Sequence, residues 1–415
     1  MRLLSLSGLG RGLALASLVF ASACTVTHKT TGKPVEKPSD GGEEDAAADA
    51  SDEGVEDAAS DTGVVVEDAA GDAADDDAAR DADIQSDEDA GDDVMASIPC
   101  EQQLEESLDG LPDDVACIGL YADVATKLVA SNVRRYAPAL VLWSDGAGKQ
   151  RWVHLPEGEK IDASDPNNWV FPVGTKFFKE FRVEGRRVET RIFQKVRQDR
   201  WSRATYAWNR DESAAIRSFG EDLGDVKIAG TDYHIPSGTE CQQCHGGRAD
   251  RVLGFEAIAL GLPGAEGVTL KMLVDEGLLE PAPIRTQLSI GDDGTDLAAE
   301  MLGYTHMNCG VCCHNRDENA EAFPSGLFMK LDVNELDGRP VGNFEPIQLL
   351  VDQTAKTLRW GDRKRVVPGN PEDSLLYQLI TSRAGPKEQM PPIATQVVDS
   401  SHADLVRRWI EALPE

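Results

Sequence analysis

Five consecutive residues, Cys241-Gln242-Gln243-Cys244-His245, constrain this chain more than any other stretch. Cys-x-x-Cys-His is the attachment pattern of c-type haem. Two thiols at that spacing reach the two vinyl groups of the porphyrin, and the adjacent His is carried under the ring to ligate the iron from one face. A half zinc site is the bland alternative, and it needs a second Cys/His pair nearby. The motif therefore calls for a fold with an apolar wall for a large flat ring.

An imperfect second copy follows at Asn308-Cys309-Gly310-Val311-Cys312-Cys313-His314. Counting back from His314, Cys313 is in place, but Gly310 stands where the other thiol is expected. Cys309 lies one residue further out, giving Cys-x-x-x-Cys-His. Looping out one residue lets Cys309 and Cys313 serve the ring, with His314 as iron ligand. Pairing Cys309 with Cys312 restores the thiol spacing but places His314 one residue late. A disulfide or metal site in a degenerate copy is the other reading.

The beginning of the chain reads as an export leader over residues 1–23. Arg2 and Arg11 precede the short apolar run Leu13 to Ala23, and Phe20-Ala21-Ser22-Ala23-Cys24 resembles a lipoprotein cleavage box that makes Cys24 the lipid-bearing residue. The run is too short to span a bilayer. Covalent haem attachment occurs outside the cytoplasm, so export and haem agree.

Residues 24–97 read as a tether. Between Ser39 and Val94 there are 23 acidic residues against the single base Arg80, which leaves about −10 of the chain's net charge of −32 for everything else. Such a segment buries too little apolar surface to offset its ordering entropy. As a coil it spans on the order of 45–50 Å, a spacer between lipid anchor and folded region. This localised acidity gives no ground for a nucleic-acid partner.

Eight cysteines are present. With Cys24 assigned to lipid and four to haem, Cys100, Cys117 and Cys312 remain. Cys100 and Cys117 are close in sequence, and in an oxidising compartment a disulfide between them is the simplest pairing. Cys312 is left unexplained.

The folded part reads as α+β. A short helical lead-in, Glu101 to Val129, opens a β-rich domain (98–225) resembling a sandwich or partial barrel. Its strands fall at Val141-Leu142-Trp143, Arg151 to Leu155, Lys176 to Val183 and Val188 to Phe193, with a hairpin turn at Glu184-Gly185. Trp143, Trp152, Trp169, Trp201 and Trp208 concentrate here as packing residues. Asp211 to Gly230 reads as a connector. A first haem region (226–290) and a C-terminal cytochrome c-like domain (291–415) are expected to be mainly α-helical, with helices at Leu253 to Leu262, Thr269 to Leu279 and Asp296 to His306. In the last third, Asn370-Pro371 and Ser401-His402-Ala403-Asp404 signal helix starts. Between those helices, Met390 in Gln389-Met390-Pro391-Pro392 sits where small cytochromes place the sixth iron ligand. For the first haem, His234, Met272, Met301 and His306 are within sequence reach as sixth ligand.

Leu142 to Ala147, Arg151-Trp152, Phe171 to Thr175, Glu189-Thr190-Arg191, His234 to Ser237, Cys241 to His245, Leu253-Gly254, Asn308-Cys309 with Cys313-His314, and Gln389 to Pro392 occur in that order. Over about Cys100 to Glu415 this resembles a family of exported bacterial diheme c-type cytochromes with a β-rich N-terminal half. The resemblance implies two covalent haems, through Cys241, Cys244 and His245, and through Cys309, Cys313 and His314 with Met390. The family's second motif is a plain Cys-x-x-Cys-His, from which this chain departs by one residue and one Cys.

The sequence thus points to an outer-membrane lipoprotein facing the periplasm or the cell surface. As a diheme cytochrome it would pass electrons between redox partner proteins, meeting the membrane only through its anchor. The alternative is a diheme, peroxidase-like oxidoreductase with one open haem iron. There is no Ser/His/Asp set, paired-carboxylate arrangement or phosphate loop to support a hydrolase or nucleotide enzyme.

Overall fold

The computed structural model describes residues 98–414. The leader, Cys24 and the acidic tether lie outside the described residues. The described chain belongs to one compact unit.

Its frame is a seven-stranded antiparallel sheet. The chain order of the strands is β1 (Arg134–Ala137), β2 (Gly148–His154), β3 (Lys176–Val183), β4 (Arg186–Arg197), β5 (Arg200–Trp208) and β6 (Ala215–Ser218). A separate hairpin of β7 (Glu221–Ile228) and β8 (Thr231–Ile235) follows, then the two-residue β9 (Glu266–Gly267). In space the sheet runs β9-β1-β2-β3-β4-β5-β6. β3 and β4 are joined by the Glu184-Gly185 turn, both residues at positive φ (50° and 87°), which matches the twist of a two-residue hairpin.

Alternation along the strands sends side chains to two different cores. Val153, Phe177, Phe193 and Trp201 point to one face, where Phe255 and the C-terminal segments cover them. Trp152, Phe178, Ile192 and Tyr206 point to the other, covered by Leu111, Val115, Ile118 and Leu120 of the lead-in. Four of the five clustered tryptophans are buried, and Trp143 donates its Nε1–H to Val397 O at 3.0 Å. A disulfide joins Cys100 and Cys117 at the start of the lead-in.

Several expectations change. The second cover of the sheet is the lead-in, so a single sheet stands where a sandwich was expected. That lead-in is helical only over α1 (Cys100–Glu106), and it then makes a single 3₁₀ turn and a pair of short strands. Val141-Leu142-Trp143 is no strand, because its backbone bonds outward: the Trp143 amide donates to Asn308 Oδ1 and Lys149 bonds Leu142 O. Asp211 to Gly230, read as a connector, contains β6 and β7, whose exposed edge positions lack the alternation that marks a half-buried strand.

The mainly helical haem regions are not seen. The helices there are short: α2 (Gly238–His245), α3 (Ala257–Gly261), α4 (Leu270–Asp275), α5 (Ala298–Thr305), α6 (Glu345–Leu350), α7 (Leu375–Thr381) and α8 (Ser400–Ala412). Gly and Pro cut most of the apolar periods to one or two turns. α7 starts after Ser374 and not at Pro371, since Asn370 closes a local turn with Asp373. α8 is capped by Asp399, whose side chain accepts the His402 amide.

Both faces of the sheet being covered, ionic groups on its strands are buried with it. Lys195 Nζ lies 2.8 Å from both oxygens of Asp250, and that carboxylate also accepts Trp201 Nε1 (2.9 Å) and the Phe171 amide (2.6 Å). Asp250→Ala leaves Lys195 charged and unpaired in the core. We expect a loss of about 3–5 kcal/mol, measured as a lowered urea midpoint at unchanged slope.

Candidate functional site

The first Cys/His motif lies on α2, and local sequence explains why a helix begins there. Ser237 is the N-cap: its hydroxyl accepts the Glu240 amide, and the Glu240 carboxylate accepts the Ser237 amide at 2.8 Å. This capping box starts the helix so that Cys241 lies about one turn ahead of Cys244 and His245. The local signal for this start, Ser-x-x-Glu, begins four residues ahead of the first thiol.

His245 is held at one nitrogen. Its Nδ1 lies 2.6 Å from Arg251 O, so that nitrogen carries the proton and Nε2 makes no hydrogen bond among the described residues. Burial, reinforced by the charges of Lys179, Arg203 and Arg191, pushes the imidazole pKa down to about 3 against the opposing Arg251 bond. A neutral ring with one nitrogen fixed by a carbonyl and the other lone pair unused is the usual state of a metal-ligating His. Phe193 lies against the ring at 4.8 Å between centroids.

Cys241, Cys244 and His245 open on a cavity of about 870 Å³, within the range of small-molecule and cofactor sites. Phe177, Phe193, Trp201, Val252 and Leu253 give it an apolar wall. One side is a strap, residues 386–396, of which Pro386, Gln389 and Pro392 line the cavity. The Asp145 carboxylate ties the strap down, accepting Thr395 Oγ1 (2.7 Å), the Gln396 amide (3.0 Å) and the Val397 amide (3.1 Å). Sequence reading missed this role of Asp145.

The second motif lies beyond α5, where the helix widens into a π-turn over His306–Gly310. The Val311 amide donates to His306 O and the His314 amide to Cys309 O, both at 2.8 Å and both across five residues. The Cys-x-x-x-Cys-His spacing is thus carried by wide turns, which are rare and occur mostly as single-turn bulges at functional sites. Burial raises the Cys309 thiol to about 12 and lowers His314 to about 4, the latter against the Leu327 carbonyl that its Nδ1 approaches at 3.2 Å. Cys309, Cys313, His314 and Met390 do not line the cavity of the first motif. Met390 packs with Cys309 against the main core, and its amide donates to Leu379 O.

The two motifs touch. A Cβ on Gly247 would stand 2.1 Å from Cys312 O, so only glycine permits the end of the first motif to rest on the second. Cys312, the odd thiol of the sequence, is buried 3.0 Å from Cys313 Sγ. Its influence draws the Cys244 pKa down, against burial. Among the described residues no group of three or more His, Cys, Asp or Glu side chains is gathered as for a metal ion.

The sequence candidates for a sixth ligand at the first haem are engaged elsewhere. His306 is fully buried, with Nε2 2.6 Å from Glu256 Oε1 and Nδ1 accepting the Leu331 amide at 2.9 Å. Met301 is core, and Met272 is exposed on α4. His234 lines the cavity, but its Nδ1 meets Asp222 (2.7 Å) and its Nε2 meets Glu240 (3.1 Å). No family model, curated protein or solved structure matches this chain. Among the described residues no helix is long and apolar enough to cross a membrane.

Gly247→Ala should separate the motifs. The expected cost is about 1–3 kcal/mol of overpacking, read by urea unfolding, with faster labelling of Cys312 by a thiol reagent in the haem-free protein. His234 sets a pH dependence. Burial opposes its charged form, but Asp222 and Glu240 together hold its pKa above the ordinary value. The stabilisation is fully present below about pH 6.5, the unfolded value, and is lost as pH rises through the higher folded value. His234→Gln should flatten thermal stability against pH over that window.

Proposed function

We propose that this chain is an exported, lipid-anchored diheme c-type cytochrome that passes electrons between redox partner proteins. The observation that carries the reading is His245: neutral, fixed through Nδ1, with Nε2 unused, beside two thiols at the edge of an aromatic-walled cavity. The residues present fit the group. Cys241 and Cys244 would hold the ring, His245 the iron, and Phe193, Trp201 and Leu253 the apolar faces. Bound haem supplies one-electron redox chemistry, and the protein's part is to seat the ring and exclude water. A second haem would be held by Cys309, Cys313 and His314, with Met390 as a further iron ligand; the π-turn supports this by carrying the Cys-x-x-x-Cys-His spacing without unravelling the motif. The resemblance to exported diheme cytochromes supports the same reading, as does the Cys100–Cys117 disulfide, which suits an oxidising compartment. Cys24 is the proposed lipid attachment point, on an outer membrane.

A second reading, a peroxidase-like oxidoreductase, is favoured by one observation. Each sequence candidate for the sixth ligand of the first haem is hydrogen-bonded, core-packed or solvent-facing, which fits an iron with an open position. A high-spin resting signal with peroxide-dependent turnover would select it over the carrier.

The deciding measurement is haem stoichiometry. Protein exported from a host with cytochrome c maturation is assayed by pyridine haemochrome and intact mass. We expect two covalent haems per chain, and one after Cys241→Ala/Cys244→Ala. One haem in the wild type, lost in that double variant, would leave the Cys309–His314 stretch without a ring; none would overturn the cytochrome reading.

A further inference from the structure

The wall of the cavity contains an arrangement of charge that the protein alone does not balance. In the sheet register Arg151 of β2 is paired with Lys179 of β3, and Lys179 with Arg191 of β4. Directly paired residues point to the same face with Cβ atoms about 4.5–5.5 Å apart, and like charges so placed repel. Lys149, two residues before Arg151, adds a fourth cation to that face. It is the face of Val153, Phe177 and Phe193, on which the cavity opens.

On this sheet face Glu189 is the one carboxylate, and the acids that line the cavity are engaged elsewhere: Asp145 by the strap, Asp222 and Glu240 by His234, Asp232 by Lys227 and Asp109 by Arg217. Arg191 is bound by Glu189, at 2.8 and 2.5 Å, and Glu189 also accepts Tyr233 O–H. Arg151 is buried and Lys179 half-buried, yet neither side chain makes a hydrogen bond or ion pair among the described residues. Elsewhere on the same strands Lys195 and Glu180 are fully matched. In a chain of net charge −32, a row of three adjacent cations with one acid between them is not the average composition pressing through. A buried cation without a partner is costly, and the arrangement is favourable when an anion fills the space before it.

We propose that Arg151, Lys179 and Arg191 form a carboxylate-binding row, built for the paired propionates of a haem attached at Cys241 and Cys244. The assignment rests on the cytochrome reading above and adds which end of the cavity takes the acidic edge of the ring. Lys179 and Arg191 line the cavity together with Cys244 and His245, and Arg151 stands behind Lys179 in the register. Arg203, also lining it, is committed to neutral oxygens of α2, namely Gln242 Oε1 (3.2 Å) and Gly238 O (3.0 Å). It positions the helix and does not belong to the row.

The test uses the loaded protein and Cys241→Ala/Cys244→Ala, which is haem-free at the first site only, each with Lys179→Met, Lys179→Arg or the surface control Lys271→Met. A cation near the ring disfavours the oxidised iron, so in the loaded protein Lys179→Met should shift the midpoint potential of the Cys241–His245 haem negative. A tenfold change in the equilibrium is expected, which is about 59 mV for a one-electron couple. Lys179→Arg should stay at the wild-type value, as should Lys271→Met. In the haem-free protein the row is only repulsive, so Lys179→Met should raise Tm. Haem present with an unmoved potential in Lys179→Met overturns the row while leaving the cytochrome reading intact, and so does a haem-free Tm that falls. Sodium succinate raising the Tm of the haem-free protein, with the loaded potential unmoved, would assign the row to a free dicarboxylate and overturn the propionate assignment. A wild type without haem overturns the proposal through its premise.

Discussion

A sheet covered on both faces leaves its inner strands no water to solvate polar groups, and the rest of the structure answers to that constraint. Each buried charged side chain on β3, β4 and β5 has to be matched inside the protein or face the cavity. Glu180 is matched by Tyr121, Arg182 and Arg187, Glu189 by Arg191 and Tyr233, and Lys195 by Asp250. These networks reach from the strands into the lead-in, the hairpin and the segment after α2, so they fix where the covering pieces sit. Asp250 is the clearest case. It lies five residues beyond His245, and by binding Lys195, Trp201 and the Phe171 amide it anchors the loop whose Arg251 carbonyl orients the imidazole.

The same economy of space brings the two Cys/His motifs into contact. Gly247 lets one backbone rest on the other, and Gly310 does the equivalent on the far side, where a Cβ would approach Lys330 N to 2.4 Å. Glycines at these two positions are required by close approach. Cys312 lies in the seam between the motifs.

Much of this could be read from sequence where a signal is local. The Glu184-Gly185 turn, the strand Lys176–Val183, the central part Val188 to Phe193 of the longer Arg186–Arg197 strand, and the amphipathic face of α8 follow from turn chemistry and period. The Cys/His motifs were plain as motifs. Pairings made across long separations were not legible. Asp145 bonds residues some 250 positions away, Asn308 holds the Trp143 amide across 165, and Arg151, Lys179 and Arg191 become neighbours only once the register is set. Helix content was overestimated because apolar segments such as Leu253 to Leu262 satisfy a helical period over barely more than one turn. Covering a sheet face takes apolar side chains in any backbone, and here loops supply many of them.

The strap held by Asp145 orders events in time. The motif at Cys241–His245 precedes residues 386–397 by some 140 positions, and those late residues form one side of the cavity. In the folding chain that side closes when the Thr395 hydroxyl and the two amides after it find the Asp145 carboxylate. A rigid ring need not be threaded into a finished protein; it can be laid against the sheet and wrapped by the final stretch of chain. The C-terminal segment thus acts as the last fold of an envelope, and its three hydrogen bonds seal whatever was placed inside before it arrived.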